Sequence, residues 1–313
     1  MNAASPIPNL IPMPSSEPAK RAVKGPRDLV GLRVVAVHAH PDDESISTGG
    51  ALAHLARRGA DVLVVTCTLG EEGEVIGETY QGLVNDAADQ LGGFRIHELS
   101  RALEILGVRG AFLGGAGRYR DSGMAGSPAS RNPRAFVNSG QQAVNDLVDI
   151  FEREAPHLVL TYDENGGYGH PDHIRAHEIT HLAAQQVEIP RILWAARLRE
   201  EIEANFAEDI PEGWTRPAPG ELDAVDTTDT WVEMDDVVYA AKAEAMKAHA
   251  TQIWLADASV TPTNPHAAIA RGPVTTYALS NLIAQPIIRR EHYLLGAGMP
   301  LEHGADITSG LDF

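Results

Sequence analysis

An imidazole and two adjacent carboxylates stand together in His40-Pro41-Asp42-Asp43-Glu44, and two more histidines bracket an aspartate in Gly169-His170-Pro171-Asp172-His173. Imidazole and carboxylate are ligand types of a catalytic zinc ion, which takes three protein donors and keeps one position for water. His40, Asp43 and His173 fit that count. Neighbouring residues in a turn point in different directions, so Asp42 is left to act as general base on a water whose pKa the metal lowers towards about 7. His170 lies three positions before His173, where it is free to protonate a leaving amine. Asp172 is expected to hold His170 by a hydrogen bond and keep it cationic, because a nearby carboxylate raises a histidine pKa. Tyr168 brings a phenol to the same place as a donor to an oxyanion.

Other residues compete for roles. His177 follows His173 by one helical turn and is a reserve ligand. His38 shares His40's side of a strand and is expected to be buried behind it, whereas isolated His249 is assigned to structure. Glu44 has only the role of a negative charge at a helix start. Glu71, Glu72 and Glu74 in one loop, with Arg118, Arg120 and Asp121 in another, suit a polyhydroxylated ligand that needs many convergent hydrogen bonds. Cys67, the single cysteine, follows Val64-Val65-Thr66 and reads as a packed thiol. A lone cysteine excludes an intrachain disulfide framework and a thiolate metal site.

The elements that must position these residues alternate. Apolar runs at Leu32–Val37, Val62–Thr66, Gly110–Leu113 and His157–Thr161 read as strands. Helical spacing marks Ala51, Leu52 and Leu55, then Leu99, Leu103 and Leu106, then Val144, Leu147, Val148 and Phe151. A further helix starts near Pro171, since proline is tolerated in a first turn. This pattern predicts an α/β fold, a Rossmann-like, mostly parallel sheet flanked by helices. In such folds ligands bind beyond the carboxyl ends of the strands, where both histidine clusters fall. Gly49-Gly50 lacks the glycine pattern of a dinucleotide loop. The chain divides by expectation into an extended tail over 1–30, a catalytic core over 31–195 and a smaller α+β lobe over 196–313 that packs on the core. In the lobe, Ile192-Leu193-Trp194 just precedes the boundary as a strand, Val237–His249 reads as a helix, and Thr275–Leu279 and Ile287–Leu294 as β structure.

The net charge of −18 disfavours nucleic acid and an anionic membrane surface as partners. The Pro- and Ser-rich start lacks the basic and apolar segments of a secretory signal, and no run is long enough to span a bilayer, so a cytoplasmic location is expected. No obligate protein partner is signalled.

The two histidine motifs resemble those of the PIG-L-type, LmbE-like, metal-dependent N-acetylglucosaminyl deacetylases. Longer runs resemble the branch of that family serving mycothiol synthesis in actinobacteria: Thr66–Gly77, Gln90–Gly93, Gly114–Arg118, Arg120–Gly126 and Asn165–His170. The resemblance implies hydrolysis of N-acetylglucosaminyl-inositol to glucosaminyl-inositol and acetate. It implies His40, Asp43 and His173 as ligands of one Zn2+, or Fe2+, per subunit, Asp42 as base and His170 as acid. Asp172 becomes the tuning partner of His170, and Tyr168 an oxyanion and substrate contact. The family's substrate-binding arginine falls on Arg95, with Glu74 and Asp121 as further hydroxyl contacts. A sister enzyme that cleaves mycothiol S-conjugates is the alternative. Its pattern has lysine where this chain has Ser47, and it lacks the Glu71–Gly77 run. A non-catalytic, metal-dependent sugar-binding module is the alternative from another class.

Overall fold

A computed structural model describes residues 26–261, 263–264 and 267–313. Most of the tail expected over 1–30 lies outside these described residues. Along the chain come β1 (Arg33–His38), α1 (Asp43–Ser47), α2 (Gly49–Arg57), β2 (Asp61–Thr66), α3 (Leu91–Leu106) and β3 (Arg109–Phe112). They are followed by α4 (Gly140–Glu154), β4 (Leu158–Thr161), α5 (Gly166–Gly169), α6 (Pro171–Ala184), β5 (Arg191–Ala196) and α7 (Arg199–Ala204). The last part holds β6 (Thr230–Glu233), α8 (Asp236–Ala248), β7 (Trp254–Leu255), β8 (Thr276–Ala278), β9 (Gln285–Pro286) and β10 (Arg290–Gly298).

A seven-stranded sheet runs in the order β3-β2-β1-β4-β5-β10-β6. The first five strands in that order are parallel, as continuous apolar runs predict, and β10 and β6 add to the edge in antiparallel sense. β7, β8 and β9 make a separate small antiparallel sheet. The run expected as β structure over Ile287–Leu294 is thus β10 of the main sheet. β6, which sequence patterning had not marked, is its outer neighbour.

Alternation along the strands sends side chains to two cores. Val34 and Ala36 of β1 join Leu52 and Leu55 of α2, Leu99 and Leu103 of α3, and Val238 of α8. Val35 and Val37 point the other way, to Leu147 and Phe151 of α4 and Ile179 of α6. All of these are almost wholly buried, and each large one contributes roughly 1.5–3 kcal/mol relative to exposure. Because β1 pairs directly with β4, Val34 opposite Leu158 and Ala36 opposite Leu160, the loops leaving both strands open side by side. That adjacency brings together clusters more than a hundred residues apart. Among the described residues, no helix is long and apolar enough to cross a membrane.

Candidate metal centre

β1 ends at His38 and the chain turns sharply into α1. Asp42, just before that helix, has φ 116°, a region that residues with side chains rarely occupy unless their surroundings enforce it. Its carbonyl accepts the N–H groups of Ser45 and Ile46, each at 3.0 Å. On the other side β4 leads through α5 into α6, where Pro171 occupies the first turn and His170 caps the helix. Gly166 makes this approach workable: it has φ +62°, and a Cβ there would sit 2.7 Å from the Cβ of His173.

Three donor atoms meet between the two loops. His40 Nδ1 lies 3.2 Å from Asp43 Oδ2, and His173 Nε2 lies 3.3 Å from each of them. A tetrahedral ion with bonds of about 2.0–2.1 Å spaces its ligands by about 3.3–3.4 Å, so this triangle fits the base of such a site. The outer atoms are fixed in the matching sense. His173 Nδ1 is 3.2 Å from the Gly166 carbonyl, and His40 Nε2 is 3.3 Å from Asp172 Oδ2 and 3.6 Å from Asp121 Oδ1. With the ring protons on the far nitrogens, facing these acceptors, the inner lone pairs are free for a cation. Asp43 Oδ2 also accepts from the His40 N–H at 2.9 Å and from Tyr162 Oη at 2.8 Å.

The field at this point is strongly negative. Burial would depress His40, yet the Asp121, Asp172 and Asp43 carboxylates around it hold its pKa well above the usual histidine range. Burial works against ionisation of Asp43, but His173 and His40 pull its pKa well below the ordinary carboxylate value. Asp42 behaves differently. Burial lifts its carboxyl to about 6 against the opposing charge of Arg95, whose Nη2 is 3.0 Å away. Two carboxylates adjacent in sequence thus differ in proton affinity, the arrangement expected when one binds a cation and the other moves a proton.

His170 also lies within the cluster, its ring 4.6 Å from that of His40 and 5.0 Å from that of His173. Grouped with His40 and His173 it is a second candidate ligand set, and His40, Asp121 and Asp172 are a third. Asp43 fits better than either alternative, because its oxygen is anionic and equidistant from both imidazoles.

Relatives of this chain share nearly its whole length. A protein of Corynebacterium diphtheriae is 60% identical over 91% of this chain and 99% of its own length. One of Corynebacterium efficiens is 64% identical over 87% and 90%, and one of Rhodococcus erythropolis 47% over 85% and 91%. Each is named a 1D-myo-inositol 2-acetamido-2-deoxy-alpha-D-glucopyranoside deacetylase. The profile of PIG-L, GlcNAc-PI de-N-acetylase, matches residues 35–184. The chain belongs to the PIG-L deacetylase family. Two solved structures show the fold alone. A teicoplanin-pathway deacetylase in complex with teicoplanin superposes with TM-score 0.50 at 18% identity, covering 85% of this chain and 100% of its own. The hydratase GalB of Pseudomonas putida superposes with TM-score 0.51 at 18% identity, covering 88% and 100%. A fold shared with a hydratase leaves the chemistry to the site.

Within this PIG-L family site, several residues stand differently from their expectation. Asp172 does not hold His170 with its carboxylate. It lies in the first turn of α6, and its Oδ2 reaches back to His40 and to the Ser122 N–H at 2.9 Å. His170 Nδ1 instead accepts the Asp172 backbone N–H at 3.1 Å. Burial, with His40 and His173 nearby, pushes the His170 pKa down to about 3, the opposite direction to the rise expected from Asp172. Arg95 is not open to a ligand hydroxyl. It is 3% exposed, and its guanidinium donates to the Pro41 carbonyl, to the Gly70 carbonyl at 2.8 Å and to Asp42. Asp121 is likewise buried beneath His40, accepting from the Gly123 and Glu72 N–H groups at 2.8 and 3.2 Å.

Glu74 and Tyr168 are exposed, and Tyr168, 61% accessible with its ring 5.1 Å from that of His173, lies on the open side of the centre. Arg118 is exposed beside Tyr119, with no direct contact to the donor triangle. Arg120 ties the loop expected to be open to Glu72, Asn85 and Asp89. His177 turns away from the triangle, its Nδ1 3.0 Å from the Tyr162 carbonyl and its ring against His181 and Trp194. His38 is buried as expected, 2.9 Å from Thr48 Oγ1.

His249 was missed. Its Nε2 lies 2.7 Å from Glu44 Oε1 inside the motif. No local spacing reveals a pair separated by 205 positions. The available signal was chemical: a carboxylate that is buried requires a partner, and Glu44 is 0% exposed.

Proposed function

We propose that this chain hydrolyses the acetamide of N-acetylglucosaminyl-inositol, releasing acetate and glucosaminyl-inositol, the reaction its relatives' names describe. The observation that carries this reading is the donor triangle of His40, Asp43 and His173 with Asp42 and His170 beside it. Those three side chains are the proposed ligands of a divalent cation, Zn2+ with Fe2+ as the alternative, since the donor set suits both. When bound, the ion supplies Lewis acidity and lowers the pKa of water.

The chain's own groups do the rest. Asp42, held by Arg95 and lifted to about 6 by burial, takes a proton from the water that attacks the acetyl carbon. His170 has its Nδ1 committed to the Asp172 N–H, so only its Nε2–H faces the departing group, which it holds by a hydrogen bond while the proton that Asp42 has taken from the water passes to the nitrogen as the C–N bond breaks. Tyr168, from the open side, donates to the carbonyl oxygen as charge develops there. Asp172 and Asp121 orient His40. Glu74, exposed in the loop after β2, is the proposed contact for hydroxyls of the ligand.

Asp42→Ala tests the assignment. The metal-loaded variant, assayed for free primary amine, should retain its metal and lose about 10²–10⁴-fold in turnover. Wild-type turnover in that variant would remove Asp42 from the role of base, and a strong preference for a mycothiol S-conjugate would replace the substrate.

A further inference from the structure

We propose that Glu44 and His249 form a positioning couple for Asp42, which makes the segment after α8 part of the catalytic apparatus, a role that rests on Asp42 as the general base. The backbone of Asp42 sits at φ 116° and ψ −32°, and such a conformation persists only when several neighbours hold it. Arg95 holds its side chain at 3.0 Å. Its N–H is held by Glu44 Oε2 at 2.9 Å. The other oxygen of that carboxylate accepts from Ser45 Oγ at 2.6 Å and from His249 Nε2 at 2.7 Å. Glu44 and His249 are both 0% exposed. A buried carboxylate keeps its place only while its charge is matched and its lone pairs are used, and among the described residues His249 is its one ion-pair partner.

His249 is in turn delivered rigidly. Its carbonyl accepts the N–H groups of Gln252 and Ile253, each at 2.9 Å. Thr251 is gripped by both oxygens of Glu98 on α3 at 2.8 Å, and its carbonyl accepts the Ile76 N–H at 2.8 Å. The chain from α8 to β7 therefore locks onto the helix that carries Arg95 and onto the loop that carries Glu74. Through Glu44 it sets the peptide of the residue whose carboxylate must meet the water. A histidine that merely filled the core would change stability and leave the kinetics of the assembled site alone.

Steady-state kinetics on N-acetylglucosaminyl-inositol, with the metal-loaded full chain, separate these roles. His249→Ala should lower kcat about 10–100-fold with KM within about 2-fold and metal content retained. His249→Gln, whose amide can still donate to Glu44 but brings no charge, should recover part of that loss. In an Asp42→Ala background the same His249→Ala change should cost less than about 2-fold, because its effect runs through Asp42. A full further loss in that background, or an effect confined to KM or metal content, overturns the couple. Wild-type turnover by Asp42→Ala alone overturns the base assignment instead, and leaves a distinct signature. Should His249→Ala fail to fold, Glu44→Gln replaces it in the cycle, with the same non-additivity expected and full additivity overturning the couple.

Discussion

Gly70 carries no side chain because Arg95 occupies the space. A Cβ there would meet Arg95 Nη1 at 2.1 Å, and the backbone stands at φ +66°. Gly70→Ala therefore combines backbone strain with displacement of the guanidinium that holds Asp42. A destabilisation of about 1–3 kcal/mol is expected, read as a lower melting temperature, together with a fall in kcat. An unchanged kcat would mean that Arg95 tolerates displacement. Cys67 is the opposite case. It is 2% exposed, and burial pushes its thiol far up from the ordinary cysteine range, with Asp172 adding to the shift. The folded protein should resist alkylation by iodoacetamide at pH 8 while the unfolded chain reacts, as mass spectrometry would read. Residue types at short spacing marked His40 with Asp43, and separately His173, because a turn and a helix start are local, whereas it is the pairing of β1 with β4 that sets the two clusters side by side. The partners of those groups were not so marked. The lock between Asp172 and His40, and that between Arg95 and Asp42, cross between loops, and only the fold decides which of two near neighbours a carboxylate reaches.

Continuous apolar runs predicted the parallel strands well, since burial on both faces leaves no other pattern for β1, β2 or β4. β6 escaped notice because Thr230-Trp231-Val232-Glu233 is short and lies at the sheet edge, where neither alternation nor a long apolar run is required. The junction between α1 and α2 is supported from outside both helices. Glu291 on β10 accepts the Gly50 and Ala51 N–H groups, each at 2.7 Å, and pairs with Lys242 of α8 at 2.5 Å. Lys242 also donates to the Ile46 carbonyl at 2.7 Å. Both charges are nearly inaccessible. Glu291→Ala leaves a buried ammonium and two helix N–H groups unmatched, so a loss of about 3–5 kcal/mol is expected by denaturant unfolding. Adding Lys242→Met should return part of it, and a double variant weaker than the single one would contradict this account.

The whole chain is stitched at its far end by one arginine. Arg191 opens β5 and is 0% exposed, yet it forms no ion pair among the described residues. Its guanidinium instead donates to four carbonyls of the final segment: Met299 at 3.0 Å, Ile307 at 2.9 Å, Pro300 at 3.2 Å and Ser309 at 2.8 Å. Ile307 and Leu311 from that segment complete the core on the α2 and α3 side. The segment thus closes the sheet where β10 returns antiparallel to β5, and it does so through a buried charge whose neutralisation is entirely by carbonyl dipoles. Ending the chain after Gly298 removes all four acceptors at once. A buried cation without them costs several kcal/mol, and the lost Ile307 and Leu311 contacts add to that. The shortened protein should melt at least about 6 °C lower than the full chain. Replacing Arg191 by Met in the shortened protein should raise its melting temperature, whereas the same replacement in the full chain should lower it. That reversal of sign is specific to a charge held by the final segment. Equal effects in both backgrounds would mean that the segment contributes through apolar packing alone.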